Sequence, residues 1–267
     1  MEQKRTIGEI PLISVVIPCY NQAQYLTDAL GSLLAQTYQR WECVVVNDAS
    51  TDDTAALAAR YADGDARIRL LNQAQNGGLA AARNAGIEHT DGPYILPLDA
   101  DDMLHPQCLE RYLDALLERP GLKMVYSDVR HFGDDSRVVP RPDMNLHQLC
   151  HHNLVQPTAL YRRADYLATE GYRANVHAYE DWDFWLQLLN SNGEAYRIPE
   201  PLFLYRVKQR SMLTELLANQ TKELAVRQNV HKNNEEKIQH WAPELLRGHT
   251  KSIGIFRRFK NFLLRFQ

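Results

Sequence analysis

No apolar run in this 267-residue sequence approaches the length needed to cross a bilayer, so no membrane-spanning helix is expected. The opening "MEQKRTIGEIP" is polar and the next apolar run is only "LISVVI", so no secretory leader is expected either. Cysteine is scarce. Cys19, Cys43, Cys108 and Cys150 lie far apart and form no CxxC pair, which favours buried thiols in a reducing cytosol over disulfides. An excess of basic charge is also missing. The formal net charge of −3 counts against general nucleic-acid binding, which shows as a strongly basic domain. The histidines, His147, His151 and His152 among them, show no HExxH pattern or paired-ligand spacing and read as surface or loop residues. There is no Ser–His–Asp or catalytic-cysteine signature, no internal repeat and no low-complexity segment. What remains is an ordinary soluble composition, 45% hydrophobic and 24% charged, in a chain long enough for one large domain with or without an appendage.

Against that background the first half has a clear rhythm. Apolar strand candidates at 13–18, 42–47, 68–72 and 94–98 alternate with helical patterns at about 22–36, 51–63, 77–90 and 105–118. Short apolar strands alternating with helices predict an α/β unit whose sheet is mostly parallel and covered on both faces. Ligands bind such sheets at the carboxyl ends of the strands. Here those ends read "CYN", "DAS", "QAQNGG" and "DADD", four polar clusters after four strands. The second half predicts further strands in "KMVYSDVRHF", "PTALYRR" and "EAYRIPEPLFLYRV". A loop is expected over 133–145, an acid-headed helix in "EDWDFWLQLLN", and a long polar helix over 209–240.

Each cluster has a chemical and a merely structural reading. Asp99 and Asp101 stand one residue apart, so their oxygens can converge on a hard cation such as Mg²⁺ or Mn²⁺. The structural alternative is that Asp101 or Asp102 caps the helix near 105, but a cap needs one acid and not three. In "VVVNDASTDDT", Asp48 is placed to accept hydrogens from a nucleobase. Ser50 and Asp53 have capping-box spacing, which would leave Asp48 free. In "NGGLAAARNAG", Gly77 and Gly78 permit close backbone approach to a ligand, and Arg83 offers a fixed cation to a base carbonyl or a phosphate. In "HAYEDWDFWLQLL", Trp182, Trp185, Leu186 and Leu189 recur at helical spacing and are expected in the core. Glu180, Asp181 and Asp183 are acids that a first helical turn accommodates in any case.

The end of the sequence, 251–267, carries Lys251, Arg257, Arg258, Lys260 and Arg265 and no acid. Ile255, Phe256, Phe259, Phe262, Leu263 and Phe266 fall on one helical face. Such a basic amphipathic helix either lies in a membrane interface or docks on the domain.

The stretches "ISVVIPCYNQAQYLTDALGSLLAQTY", "VVVNDASTDDT", "NGGLAAARNAG" and "LDADD" resemble family 2 glycosyltransferases. The resemblance runs from about Leu12 to Arg206. It implies the GT-A fold, a Rossmann-like, mostly parallel sheet flanked by helices, over 1–208, followed by a helical C-terminal extension over 209–267. It also implies an inverting, metal-dependent transferase that moves a sugar from a nucleotide-diphospho-sugar, with UDP favoured, to a hydroxyl on a glycan or lipid-linked acceptor. Surface polysaccharide or glycolipid synthesis at the cytoplasmic face of a membrane would follow. By the same resemblance Pro18, Tyr20, Asn21, Asp48, Asn76, Gly77 and Arg83 line the nucleotide-sugar pocket. Asp99 sits near ribose and metal, Asp101 binds the Mn²⁺ or Mg²⁺ that bridges the diphosphate, and Asp181 is the catalytic base with Glu180 beside it. One position departs from the family pattern. Where many members carry Tyr-Arg-x-His, this chain has "YRVK", with Lys208 in place of the histidine and suited to pair with a phosphate. Two other classes compete. A sugar-nucleotide nucleotidyltransferase would need a Gly-rich basic loop after the first strand, and "PCYNQAQY" has neither feature. A non-catalytic, membrane-recruited binding module would have no use for intact Asp101 and Asp181.

Overall fold

The computed structural model describes residues 10–247; the basic segment 251–267 lies outside the described residues. The first strand, β1 (Ile13–Cys19), is followed by α1 (Ala23–Leu34), β2 (Trp41–Asn47), α2 (Thr54–Gly64), β3 (Ile68–Asn72), α3 (Leu79–Glu88) and β4 (Tyr94–Pro97). Next come the two-residue β5 (Met103–Leu104), α4 (Cys108–Glu118), β6 (Met124–Gly133), β7 (Val138–Val139), α5 (Leu146–His151), β8 (Leu160–Arg162) and α6 (Arg163–Leu167). A 3₁₀ turn at Ala174–Val176 leads into α7 (Glu180–Leu188), the long β9 (Ala195–Val207), and then α8 (Met212–Ala218), α9 (Gln220–Asn233), α10 (Glu235–Trp241) and α11 (Glu244–Arg247).

The strands form one sheet in the order β3-β2-β1-β4-β8-β6-β9-β5, with β7 paired to β6. From β3 to β4 all pairs are parallel, as the alternation predicts. The short β8 then runs antiparallel to both β4 and β6, and β9 returns parallel to β6. The register levels the ends that matter, because Cys19 pairs with Asn47 and Asn47 with Asn72. The loops after β1, β2, β3 and β4 therefore emerge along one edge.

Strand alternation divides the core in two. Ile13, Val15 and Ile17 of β1 and Cys43 and Val45 of β2 face α1 and α4, where Leu26, Leu30, Leu109 and Tyr112 meet them. Val16, Val44 and Val46 face the other way, towards α3, α7 and the C-terminal helices. Here α3 presses so close that a Cβ on Gly86 would lie 2.3 Å from a methyl of Val16, which only glycine avoids. Trp182 and Trp185 are fully buried, as their spacing implies, and all four cysteines are buried free thiols. No helix among the described residues is long and apolar enough to cross a membrane.

Three expectations need correction. The polar stretch 209–240 is not one helix. It breaks at Asn219, whose side chain leaves the helical ladder to accept from the Lys222 amide, and again at Asn234, whose amide donates to Asp183. The segment 133–145 is not all loop, because Val138–Val139 adds a two-residue strand to β6. Ser50 does not cap α2. Its hydroxyl accepts from the Asn21 amide, and Asp52 instead accepts from the Thr54 and Ala23 amides, joining the starts of α2 and α1.

In the same loop Ala49 holds φ at 56°, a left-handed conformation that costs a Cβ-bearing residue about 1 kcal/mol relative to glycine. Ala49→Gly is therefore expected to raise stability by about 0.5–1 kcal/mol, read as a higher urea midpoint at unchanged slope. An unchanged or lower midpoint would show that the loop carries no such strain.

Candidate active site

The levelled strand ends form one wall of a cleft of about 600 Å³. Pro18, Tyr20, Asp48, Asn76, Arg83, Asp99 and Asp101 line it from the sheet edge, Lys208 from the end of β9, and Glu180 and Asp181 from the mouth of α7. Ten of the twelve residues singled out from the sequence thus face one space.

Asn21 and Gly77 do not line it, and the hydrogen bonds explain why. Asn21, at φ 53°, uses its side-chain oxygen to accept from the Thr51 amide at 2.8 Å, and so braces the loop after β1 against the loop after β2. Gly77 and Gly78 donate their amides to the two oxygens of Asp48, each at 2.8 Å. Gly78 holds φ at 83°, which favours glycine, and itself lines the cleft. Asp48 is not free, because both its oxygens already accept and the residue is almost fully buried. It fixes the loop that carries Asn76, whose side chain returns to donate to the Asp48 carbonyl at 3.3 Å.

The three acids after β4 have three different jobs. Asp99 Oδ1 accepts from Arg83 Nη2 at 2.7 Å. Asp101 Oδ2 forms an ion pair with the Lys208 ammonium, which also lies over the Tyr25 ring. Asp102 is buried and accepts from the Arg206 amide at 2.8 Å. Burial, reinforced by the charges of Asp101 and Asp99, pushes the Asp102 carboxyl well above the ordinary range, so Asp102 belongs to the loop's scaffold. It caps no helix, since α4 begins only at Cys108. Arg206 completes that scaffold by donating to the Asp101 carbonyl at 2.8 Å and to Asp28 at 2.6 Å.

Lys208, expected to suit a phosphate, stands against the Asp101 carboxylate beside the cleft. Asp99 Oδ2 and Asp101 Oδ1 have no protein partner among the described residues. Two carboxylates, each with one oxygen held by a cation and one left over, fit a hard oxygen-seeking dication whose shell is completed by other oxygens.

Arg83 is the buried hub, with 2% exposure. Burial alone would weaken its charge, but Asp99 first, then Tyr172, Glu180 and Asp181, hold it firmly protonated. Asp181 sits beyond it. Its two oxygens accept from the Trp182 amide and from Asn153 Nδ2, both at 2.8 Å. The helix N-terminus would favour the ionised form, yet burial wins and raises the Asp181 carboxyl to about 6, against the pull of Arg83 and Asn153. Glu180 is also raised by burial. Asp183 turns away towards the C-terminal helices, where Asn233 and Asn234 donate to it, and Gln187 one turn along α7 donates as well.

The sequence reading missed the opposite wall, which Arg141, His152, Asn153, Tyr179 and Arg227 line. His152 is buried and not a surface residue; burial first, then the Arg227 charge, lowers its imidazole to about 4 and keeps it neutral at pH 7. His147 is at the surface as expected and His151 is half-buried, but both are helical and not in a loop. They stand one turn apart on α5 and share Glu244.

Known proteins match this chain in sequence and in fold. The family described as Glycosyl transferase family 2 matches residues 14–175. A hyaluronan synthase of Pasteurella multocida is 30% identical over 186 residues, which cover 68% of this chain but only 19% of the synthase. The putative glycosyltransferase EpsE of Bacillus subtilis (strain 168) is 30% identical over 213 residues, 75% of this chain and 74% of EpsE. Among solved structures, S. aureus TarS in complex with UDP-GlcNAc superposes with a TM-score of 0.71 at 20% identity, covering 87% of this chain and 71% of that one. The mannosyltransferase PcManGT from Pyrobaculum calidifontis, in complex with GDP-Man and Mn²⁺, gives a TM-score of 0.62 at 18% identity, covering 95% of this chain and 81% of that one. The fold is that of the GT-A glycosyltransferases, and the chain belongs to glycosyl transferase family 2.

Proposed function

We propose that this protein transfers a sugar from a nucleoside-diphosphate sugar, UDP-linked by preference, to a hydroxyl acceptor with inversion at the anomeric carbon. The observation that carries this reading is the cleft's polarity. Two carboxylates with spare oxygens, Asp99 and Asp101, line the sheet side, and a carboxyl tuned to about 6, Asp181, lines the other. TarS and PcManGT, which share the fold, are solved with UDP-GlcNAc and with GDP-Man and Mn²⁺ respectively, which supports a donor of this class.

In this reading the transferase unit spans 1–208, and the helices from 209 onward form an extension. Pro18, Tyr20, Asp48 and Asn76 enclose the nucleoside. Asp99 and Asp101 would hold Mn²⁺ or Mg²⁺, which when bound offsets the diphosphate's negative charge and makes the nucleoside diphosphate a better leaving group. Asp181 accepts the proton of the acceptor hydroxyl. The acceptor oxygen forms its bond to the anomeric carbon as the bond from that carbon to the phosphate oxygen breaks, and the electron pair leaves with the nucleoside diphosphate. Arg83, fixed between Asp99 and the α7 acids, keeps the two halves of the cleft in register. Acceptors of surface-glycan or lipid-linked type, reached at the cytoplasmic face of a membrane, suit the basic C-terminal segment. A screen of sugar nucleotides by thermal shift, followed by anomeric NMR of the product, tests the reading. No stabilisation by any sugar nucleotide, or a retained configuration, would overturn it.

One further outcome follows from the Asn153 contact. Its amide favours the ionised Asp181, so Asn153→Ala is expected to raise the Asp181 carboxyl further. Transfer requires the ionised base, and the rising limb of the pH–rate profile should move alkaline by up to about one unit. A limb left in place would show that Asn153 does not tune the base.

A further inference from the structure

Three side chains that the transfer reaction does not use converge outside the cleft. His147 and His151 are four residues apart on α5, which sets their rings on one face with centroids 4.9 Å apart. Glu244, at the start of α11, brings a single oxygen, Oε1, to 2.9 Å from His147 Nε2 and 3.0 Å from His151 Nε2. The three candidate ligand atoms all lie within 4.8 Å of one another. No other group of three such side chains that could hold a metal ion occurs among the described residues.

We propose that His147, His151 and Glu244 form a binding site for a zinc-class transition-metal dication, separate from the hard-cation site of the cleft. Two imidazoles and one carboxylate suit zinc, and leave a fourth tetrahedral position for water. Tetrahedral bonds of about 2.0–2.1 Å set ligand atoms roughly 3.3 Å apart, so the two nitrogen–oxygen contacts need open by only a few tenths of an ångström. On ligation each imidazole turns its Nε2 lone pair to the ion and carries its proton on Nδ1. The side chains are 55%, 21% and 53% exposed for His147, His151 and Glu244, so an ion enters from solvent without any rearrangement of the core.

The placement gives the ion a role. The two elements it joins lie more than ninety residues apart in sequence. Helix α5 runs directly into His152 and Asn153, and Asn153 holds Asp181. Helix α11 closes the described C-terminal helices, three residues before the basic segment in sequence. A bound zinc therefore fastens the C-terminal extension to the element that presents Asn153 to the base. Cross-linking distant elements that are joined only in the folded state stabilises that state.

The test uses the untagged full-length chain, stripped with chelator and titrated with zinc chloride against a chromophoric zinc indicator in excess Mg²⁺. One equivalent is expected to bind at micromolar concentration or below, with a rise in melting temperature. Cobalt(II) should give the intense visible absorption of a tetrahedral ion. His147→Ala/His151→Ala should weaken binding by roughly 100-fold or more and Glu244→Gln by roughly tenfold, whereas Asp101→Asn should bind zinc as the parent does. Circular dichroism without metal verifies that the double variant folds; if it does not, the Glu244→Gln titration decides alone. Zinc binding that is undiminished in these variants, absent from the parent, or lost in Asp101→Asn overturns the site.

Discussion

An Asp181→Asn variant is expected to lose sugar transfer by roughly 10²–10⁴-fold, the range typical of a positioned general base, while binding donor as the parent does. The side chain keeps its shape and can still accept one of the two hydrogen bonds that Trp182 and Asn153 donate, but it cannot take the acceptor's proton. The parent's own profile should show the cause. With the carboxyl at about 6, transfer rises as pH increases through that value and levels above it.

The same shift makes a second, opposite statement about stability. A carboxyl near 6 in the fold and near 3.8 in the unfolded chain favours the folded state at low pH, and that contribution is lost as pH rises through 6. At neutral pH the ionised Asp181 therefore costs up to about 3 kcal/mol. The asparagine removes that cost but forfeits one accepted hydrogen bond, worth about 1 kcal/mol. Asp181→Asn should thus be inactive and more stable by about 2 kcal/mol, a pairing that simple damage to the fold cannot produce. Lost donor binding, or a lower melting temperature, would place Asp181 in the scaffold. Retained transfer alongside its loss in Glu180→Gln would move the base by one residue.

How much of this was legible beforehand follows from the range of each interaction. The strand ends were legible because their apolar runs and the polar residues that stop them are local. The matched register of Cys19, Asn47 and Asn72 then carries those residues to one edge. Asp99 and Asp101 were legible because both follow a single strand. The opposite wall was not, because Asn153 reaches Asp181 across 28 residues; nor was the brace on the acid loop, where Arg206 reaches the Asp101 carbonyl across 105. No local pattern marks either contact. Asn21 and Gly77 belong to the right loops but serve the loops' own backbone, a distinction that only the hydrogen-bond partners make. The raised Asp181 carboxyl was not legible for a related reason. The helix N-terminus is visible in sequence, whereas the burial that outweighs it is a property of the assembled cleft.

Asp101→Asn should abolish the difference that a divalent cation makes to donor binding. In the parent, a UDP-sugar at 100 times its dissociation constant should stabilise the fold by about 2.7 kcal/mol, with Mn²⁺ or Mg²⁺ accounting for most of that gain over chelator. Asp101 lies at the centre of the expectation because Lys208 already occupies one of its oxygens. A cation at Asp101 therefore competes with an ammonium only 20% exposed, and Lys208→Met should tighten Mn²⁺ binding several-fold, by removing the competitor. In Asp101→Asn the same lysine loses its carboxylate partner and is left to meet the diphosphate directly, so residual donor binding should be indifferent to metal and weakened by salt. These two variants separate two designs. If the parent's donor binding is equal with Mn²⁺ and with chelator, Lys208 is the diphosphate's cation and Asp101 its holder. If metal dependence persists in Asp101→Asn, Asp99 alone anchors the ion, and the pairing with Lys208 serves the loop.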